Sequence, residues 1–496
     1  MSNNKVSVRI RMYRHGLGDC FLLTFMQSGR DDFNMLVDCG LLHGTANSRE
    51  IMRKVAENIE QTLTVEKSVG GENKKWLDVV VVTHEHADHI SGFSEDQAQE
   101  VFDRMHFGEV WAGWMDDEHH PKYKAVRERF HKQVAGLKAA LTKIKSDEQK
   151  ALRDTITSLV NEFFQDDVLG AAESESGRSP AWDYALKKSV NNPRYCIPGQ
   201  SFLLGRFDNV RVYILGPSEE FETFTKVDPP QDETYRDEGS GFALAESFFA
   251  AVAGDSDLFD AEMYQPFEHH LRIDAEKDAP KVPFFKTHYG FDQNEKDSWR
   301  RIDDDWLTMA GGLALHLDSY TNNTCLAFAI EFVGSKKVLL FPGDAQFSNW
   351  ISWQKLSWEI PDTSGAKQHV KTEDLLKRTV FYKVGHHGSH NATLKKHGLE
   401  MMTNPDLTAM IPVDREKAKT RPPNGWKMPE KNLFARLIDR TRGRVILADE
   451  SDDTELKARC QDSKFVKGVK YLGTFVRNKK TSTEAEPLFI EFTLEE

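Results

Sequence analysis

The chain has 496 residues, of which 39% are hydrophobic and 29% charged, with a mean hydropathy of −0.56. That length is ample for a large buried core, and the composition excludes collagen-like, disordered and membrane-spanning classes. A net charge of −13 disfavours indiscriminate binding of nucleic acid over the whole surface, although residues 415–444 hold ten Lys/Arg against three Asp/Glu. Five scattered cysteines, Cys20, Cys39, Cys196, Cys325 and Cys460, include no CxxC pair and argue for reduced, mostly buried thiols.

From Lys5 to Tyr13 apolar and charged residues alternate without a continuous apolar stretch, which predicts an edge strand, no signal peptide and a cytoplasmic protein with no membrane association. Gly16-Leu17-Gly18-Asp19 leads into the apolar Cys20–Leu23, and Met35-Leu36-Val37 runs into Asp38-Cys39-Gly40, predicting an antiparallel pair. Three further apolar runs end abruptly in polar residues. Val79–Val82 meets Thr83-His84-Glu85-His86-Ala87-Asp88-His89, Val338–Phe341 meets Pro342-Gly343-Asp344, and Val380–Val384 meets Gly385-His386-His387-Gly388-Ser389. Of Tyr382 and Lys383 on the last of these runs, alternation turns one to the core and the other to solvent.

Two longer segments interrupt the strands. Residues 115–205 form a helical insertion, in which Val126, Phe130, Val134, Leu137, Leu141 and Ile144 recur at helical spacing and predict an αα-hairpin, a possible surface for a protein partner. Residues 219–320 form an acidic insertion ending in the helix-like Trp306–Leu317, in a position that can cover an active site. Between them Val210–Leu215 reads as a strand, and strands return at Cys325–Phe332. The whole, residues 1–496, is expected to be a single domain with these two insertions.

The decisive pattern is His84-x-His86-x-Asp88-His89. Imidazoles at i and i+2 of an extended segment project to one side, and Asp88 and His89 turn toward a neighbouring point as a helix begins, so six residues supply ligands for two adjacent cations. Imidazole and carboxylate suit Zn²⁺, Mn²⁺ or Fe²⁺.

HxHxDH after a buried strand resembles the metallo-β-lactamase fold, an α/β, four-layer αββα sandwich with metals at its strand ends. Asp38 in LVDCG resembles the aspartate that supports the metal loop from behind. Asp344 in LLFPGDA resembles the carboxylate that bridges two metals, and His386-His387-Gly388-Ser389 the late histidine motif. HHGS, GLGDCFLL and Asn322–Leu326 together resemble one branch, the hydrolase domain of bacterial DNA-internalisation competence proteins, which is associated with nuclease or phosphodiesterase activity. The resemblance covers about half of the chain in pieces. It implies metal ligation by His84, His86, Asp88, His89, Asp344 and His387. Of the two adjacent histidines, whose side chains diverge on an extended segment, the alignment favours His387 as ligand and leaves His386 facing substrate. His390 can serve in its stead, and Asp88, His386 and His390 are the candidates for catalytic roles. The superfamily's middle histidine is missing, because VRVYILGPS ends in Gly216-Pro217-Ser218. His119, His120, His269, His270 and His316 are the residues available to fold over and fill the gap.

The function implied is hydrolysis of phosphodiester bonds, with two divalent ions, Zn or Mn, acidifying a bridging water from a pKa of 15.7 toward about 7. Nucleic acid is the first substrate class. Lys and Arg clustered around Trp426 would meet phosphates and let a base stack. Small phosphoesters or nucleotides, gated by the acidic insertion, are the alternative, and a non-catalytic metal-bound scaffold or regulatory subunit the third reading.

Overall fold

The computed structural model describes residues 5–128, 178–220, 223, 229–235, 273, 277–291, 300, 320–361, 367–421, 425–476 and 485–496. The chain divides into two compact units, one of residues 1–126, 161–240 and 318–496, the other of residues 127–160 and 241–317. Of the second unit the description includes the short helical turns Ala279–Lys281 and Pro283–His288. The predicted hairpin of the helical insertion, the stretch Trp306–Leu317 and His269, His270 and His316 lie outside the described residues.

The first unit is built on two sheets. One contains β1 (Val6–Tyr13), β2 (Cys20–Gln27), β3 (Phe33–Cys39), β4 (Glu66–Val69), β5 (Glu72–Val81), β6 (Met105–Gly113) and β7 (Arg194–Cys196). The other contains β8 (Ser201–Leu203), β9 (Val210–Gly216), β10 (Ala327–Phe332) and β11 (Val338–Phe341); after the ribbon β12 (Ser357–Pro361) and β13 (Lys367–Lys371) come its remaining strands β14 (Thr379–Lys383), β15 (Thr408–Ile411) and β16 (Val445–Leu447). The chain then returns to the first sheet through β17 (Lys470–Leu472) and β18 (Phe489–Glu495). The strand orders are β17-β18-β1-β2-β3-β5-β6-β7, with β4 beside β5, and β16-β15-β14-β11-β10-β9-β8.

Alternation along the strands sorts side chains into layers. Val8, Ile10 and Met12 of β1, Phe21 and Leu23 of β2, and Val79 and Val81 of β5 share one buried cluster with Val212 and Ile214 of β9, Phe328 and Ile330 of β10, and Phe381 of β14. That cluster is the space between the sheets. The opposite face of the first sheet, with Leu22, Leu36 and Val80, packs on Ile51, Met52, Val55 and Ile59 of the helix Ser48–Thr62, which recur at helical spacing. The opposite face of the second sheet, with Tyr213, Ala329 and Leu340, packs on Trp350 and Trp353 of the helix Phe347–Trp353 and on Leu433 and Leu437 of the helix Lys431–Thr441. Helix, sheet, sheet, helix is the αββα arrangement expected.

The antiparallel pair expected near the start is β2 with β3. The first strand is not an edge. β1 pairs with β2 on one side and with β18 on the other. Its charged positions face the helical layer: Arg11 donates to Asn58 Oδ1 at 2.7 Å and Thr62 Oγ1 at 2.8 Å, and pairs with Glu491 of β18 at 2.9 Å. Alternation there records a polar contact with a helix in place of water.

β3, β5 and β6 run parallel, as do β11, β14, β15 and β16, so each set delivers its carboxyl ends to one edge of its sheet. Backbones approach closely there. A Cβ on Gly40 would stand 2.3 Å from the backbone N of His89, and one on Gly18 (φ +153) would stand 2.2 Å from the carbonyl of Gly40. Gly40→Ala is therefore expected to lower stability by about 1–3 kcal/mol through overpacking, read as a lower urea midpoint; an unchanged midpoint would contradict the packing described.

Candidate metal centre

The ends of β3, β5, β11 and β14 supply the side chains of the centre. Asp38 closes β3 in a left-handed conformation (φ 55), and its carboxylate accepts from Thr83 N at 2.8 Å, Thr83 Oγ1 at 2.8 Å and His89 Nδ1 at 2.8 Å. A carboxylate on Nδ1 leaves Nε2 as the atom His89 offers forward. That atom stands 3.1 Å from Asp344 Oδ2, and neither has a hydrogen-bond partner although both are buried. His387 is fixed in the same way: Nδ1 donates to the Pro412 carbonyl at 2.6 Å, which leaves Nε2 3.0 Å from Asp88 Oδ2. His84 Nδ1 lies 3.1 Å from Thr83 Oγ1 and 3.1 Å from Cys325 Sγ, and its Nε2 lies 3.0 Å from His86 Nδ1.

Among the described residues, three groups of side chains bring ligand atoms within 4.8 Å of one another: His84, His89 and Asp344; Asp88, Asp344 and His387; and Asp19, Asp38 and His89. Asp344 belongs to the first two. In the third, Asp38 is already engaged with Thr83 and His89, and one oxygen of Asp19 is engaged with Lys383. The donors suit a divalent cation. Asp88 Oδ1, Asp344 Oδ2 and His89 Nε2 are buried without hydrogen bonds, and two ligands of one cation at about 2.1 Å are expected about 3 Å apart, the spacing seen between the last two.

Of the residues singled out in the sequence, His84, Asp88, His89, Asp344 and His387 therefore gather in the first two groups. His86 stands against His84, and its imidazole is pushed down to about 3 by burial. His386 enters none of the three groups. Its backbone N–H donates to Asp344 Oδ1 at 2.9 Å, and burial pushes its imidazole down to about 4. The segment is not extended, as divergent side chains would need: His386 and His387 both adopt left-handed backbone (φ 45 and φ 52) in a tight turn. His390 is half-buried at the rim, its carbonyl accepting from Thr234 Oγ1 at 3.4 Å. His120 comes near the end of β9, tilted against Trp114 at 4.3 Å between ring centroids, and the Trp114 indole donates to the Pro217 carbonyl at 2.9 Å. Its two ring nitrogens are taken by Glu219 at 3.2 Å and by the Lys122 N–H at 3.3 Å, so it does not stand in for the missing middle histidine.

Three neighbours escaped the sequence reading. Asp19, Lys383 and Cys325 are all buried at the site. Lys383 is not the solvated partner of a core-facing Tyr382, because β14 is central and covered on both faces, and both residues are 2% exposed or less. Its ammonium pairs with Asp19 and with Asp344 Oδ1 at 3.0 Å. Burial opposes that charge, but Asp19 and Asp344 outweigh it and hold the lysine protonated. Cys325 Sγ accepts from the Asp344 N–H at 3.1 Å. A lysine in an otherwise apolar buried strand was the available signal for the pair, since a buried cation requires a carboxylate.

Two outcomes follow for cation binding. Asp38→Asn is expected to weaken affinity for Zn²⁺ or Mn²⁺ about 10–100-fold, by loosening His89 and the Thr83 backbone; calorimetric titration checks this. Burial works against charge on His89, yet Asp344, Asp19, Asp88 and Asp38 outweigh it and raise its pKa well above the usual value. A cation must displace that proton. Affinity should therefore fall as pH falls, by about tenfold per unit for each proton released, and titration heats should depend on the ionisation enthalpy of the buffer. Buffer-independent heats would contradict it.

Residues 14–159 of the 496 match the family model described as the metallo-beta-lactamase superfamily. No curated protein matches the chain. Among the described residues no helix is long and apolar enough to cross a membrane, and all five cysteines are free and buried. The matched span holds Asp19, Asp38 and the HxHxDH segment, and the fold adds Asp344 and His387 from beyond it. Together the match, the αββα sandwich and the buried His/Asp groups support a metal-dependent hydrolase of this fold.

Proposed function

We propose that the chain is a phosphodiesterase that works with two divalent ions, Zn or Mn, and cleaves nucleic acid, as the branch of competence-protein hydrolases it resembles is associated with doing. The observation that carries this reading is Asp344, shared between two ligand groups with a buried oxygen that makes no hydrogen bond. In this reading His84, His86, His89, Asp88, Asp344 and His387 hold the ions, and bound ions supply Lewis acidity and a water acidified to near-neutral pKa.

Charge favours a phosphoryl substrate. Asp19, Asp38, Asp88 and Asp344 are 1–3% exposed, and the Lys383 ammonium lies among them. With neutral imidazoles, four carboxylates and one ammonium leave three negative charges, which two divalent ions convert to a single positive charge. That is the field a phosphodiester's one negative charge meets best. His386, neutral at pH 7 when held down to about 4, can donate a hydrogen bond to a phosphate oxygen without adding charge.

A groove of about 990 Å³ lies beside the HHGS turn, lined by Trp426, Met428 and Phe434. The N–H of Glu430 donates to the Gly388 carbonyl at 2.9 Å, joining the groove's wall to the turn. Trp426 packs on the core while it lines the groove, so anchoring and stacking are not alternatives for it. The groove is not a basic track. Arg415, Lys417, Lys419, Lys427 and Lys431 face Asp414, Glu416, Asp449, Glu455 and Glu486, and Arg415 is paired with both Asp449 and Glu455. Part of the acidic insertion adds to this: Glu233 accepts from the backbone of Lys396 at 3.0 Å and of His397 at 3.2 Å, just beyond His390. Balanced charge favours a second reading, a nucleotide or short phosphodiester with its base on Trp426, over a long polyanion.

Purified protein with added Mn²⁺ or Zn²⁺, assayed on single- and double-stranded DNA, RNA and bis(p-nitrophenyl) phosphate, separates the readings. Cleavage of polymer that His84→Ala lowers at least about 10²-fold supports the first. Turnover of the small diester alone supports the second. No turnover with either metal would leave a non-catalytic metal-bound scaffold.

A further inference from the structure

Among the described residues, Lys383 is the lysine buried among the four carboxylates of the centre. Its ammonium is held from two sides, by the carboxylate of Asp19 on the loop before β2, and by the Gly343 carbonyl and Asp344 Oδ1, each at 3.0 Å, on the loop after β11. Asp344 Oδ1 also accepts the His386 N–H at 2.9 Å. The two oxygens of this carboxylate are thus unequal: Oδ1 is held by Lys383 and a backbone amide, while Oδ2 is buried and faces His89 Nε2 at 3.1 Å.

We propose that Lys383, clamped by Asp19, is a positioning residue of the metal centre, occupying Asp344 Oδ1 so that this carboxylate meets cations through Oδ2 alone. The inference rests on reading the cluster as a metal centre. A carboxylate with both oxygens free can chelate one ion and abandon the other. One whose single available oxygen lies within reach of both ligand groups cannot chelate either ion, so the lysine favours sharing. Asp19 prevents the ammonium from approaching the ions, because its own carboxylate draws Nζ toward the loop Gly16–Asp19. His86 and Asp88, already on the metal-loop side, need no such help.

Removing Lys383 alone would leave carboxylates buried without a counter-charge and threatens folding. Asp19→Asn/Lys383→Met removes one charge of each sign and keeps the net charge of the site. Wild type and double variant, each shown folded by circular dichroism, are titrated with Co²⁺ and followed by visible absorption and calorimetry. The double variant is expected to bind about 10–100-fold more weakly and to give a changed d–d spectrum, as Asp344 adds a second oxygen to one ion. An unchanged spectrum overturns the proposal whatever the affinity. Wild type that binds no stoichiometric Co²⁺ overturns the metal-centre reading itself, a distinct failure. Should the double variant not fold, a crystal structure of the Co²⁺-loaded wild type decides: Lys383 Nζ on Asp344 Oδ1 with Oδ2 alone on metal supports it, and chelation by both oxygens overturns it.

Discussion

Four carboxylates buried within a few ångströms of one another would drive a protein apart unless their charge were answered locally. Much of the first unit's architecture follows from that constraint. The sandwich sets the carboxyl ends of its parallel strands at the edges where the loops meet, and the glycines at 18 and 40 let those backbones approach closely enough for shared hydrogen bonds. Backbone amides of Thr83 and His386, the imidazoles of His89 and His387, and the ammonium of Lys383 each take a share of the negative charge. With its imidazoles neutral, the cluster of four carboxylates and Lys383 keeps three negative charges, an electrostatic appetite for cations.

The part of this centre that can be read in sequence is the part that is local. HxHxDH declares itself because ligand spacing and strand end fall within seven residues, and Asp344 and HHGS declare themselves through the apolar runs before them. The two-sheet core is equally legible, since each strand sorts its side chains by alternation. Asp19, Lys383 and Cys325 are illegible for the opposite reason. Each is ordinary in its own segment and acquires meaning only from a partner far along the chain: Asp19 with Lys383, Cys325 with His84. Alternation predicts one wet side chain of the pair Tyr382 and Lys383, whereas β14 has no wet face: it lies between β11 and β15 with helices on one side and a second sheet on the other.

The HHGS segment illustrates how local conformation changes chemistry. On an extended strand two successive histidines point apart and one is lost to the site. In the left-handed turn that the segment adopts, His387 swings its imidazole to Asp88 while His386 gives the site its backbone N–H. A pair of adjacent histidines in strained backbone thereby performs two unlike tasks, one through a ring and one through an amide, a division that residue identity alone does not reveal.

The partner of β1 carries a consequence of another kind. The strand nearest the start of the chain is hydrogen-bonded along its length to β18, between residues 489 and 495. Whenever β18 is detached, β1 presents an open sheet margin that carries Val6, Val8 and Ile10, and that edge is where chaperones, or stray copies of the same chain, would find purchase.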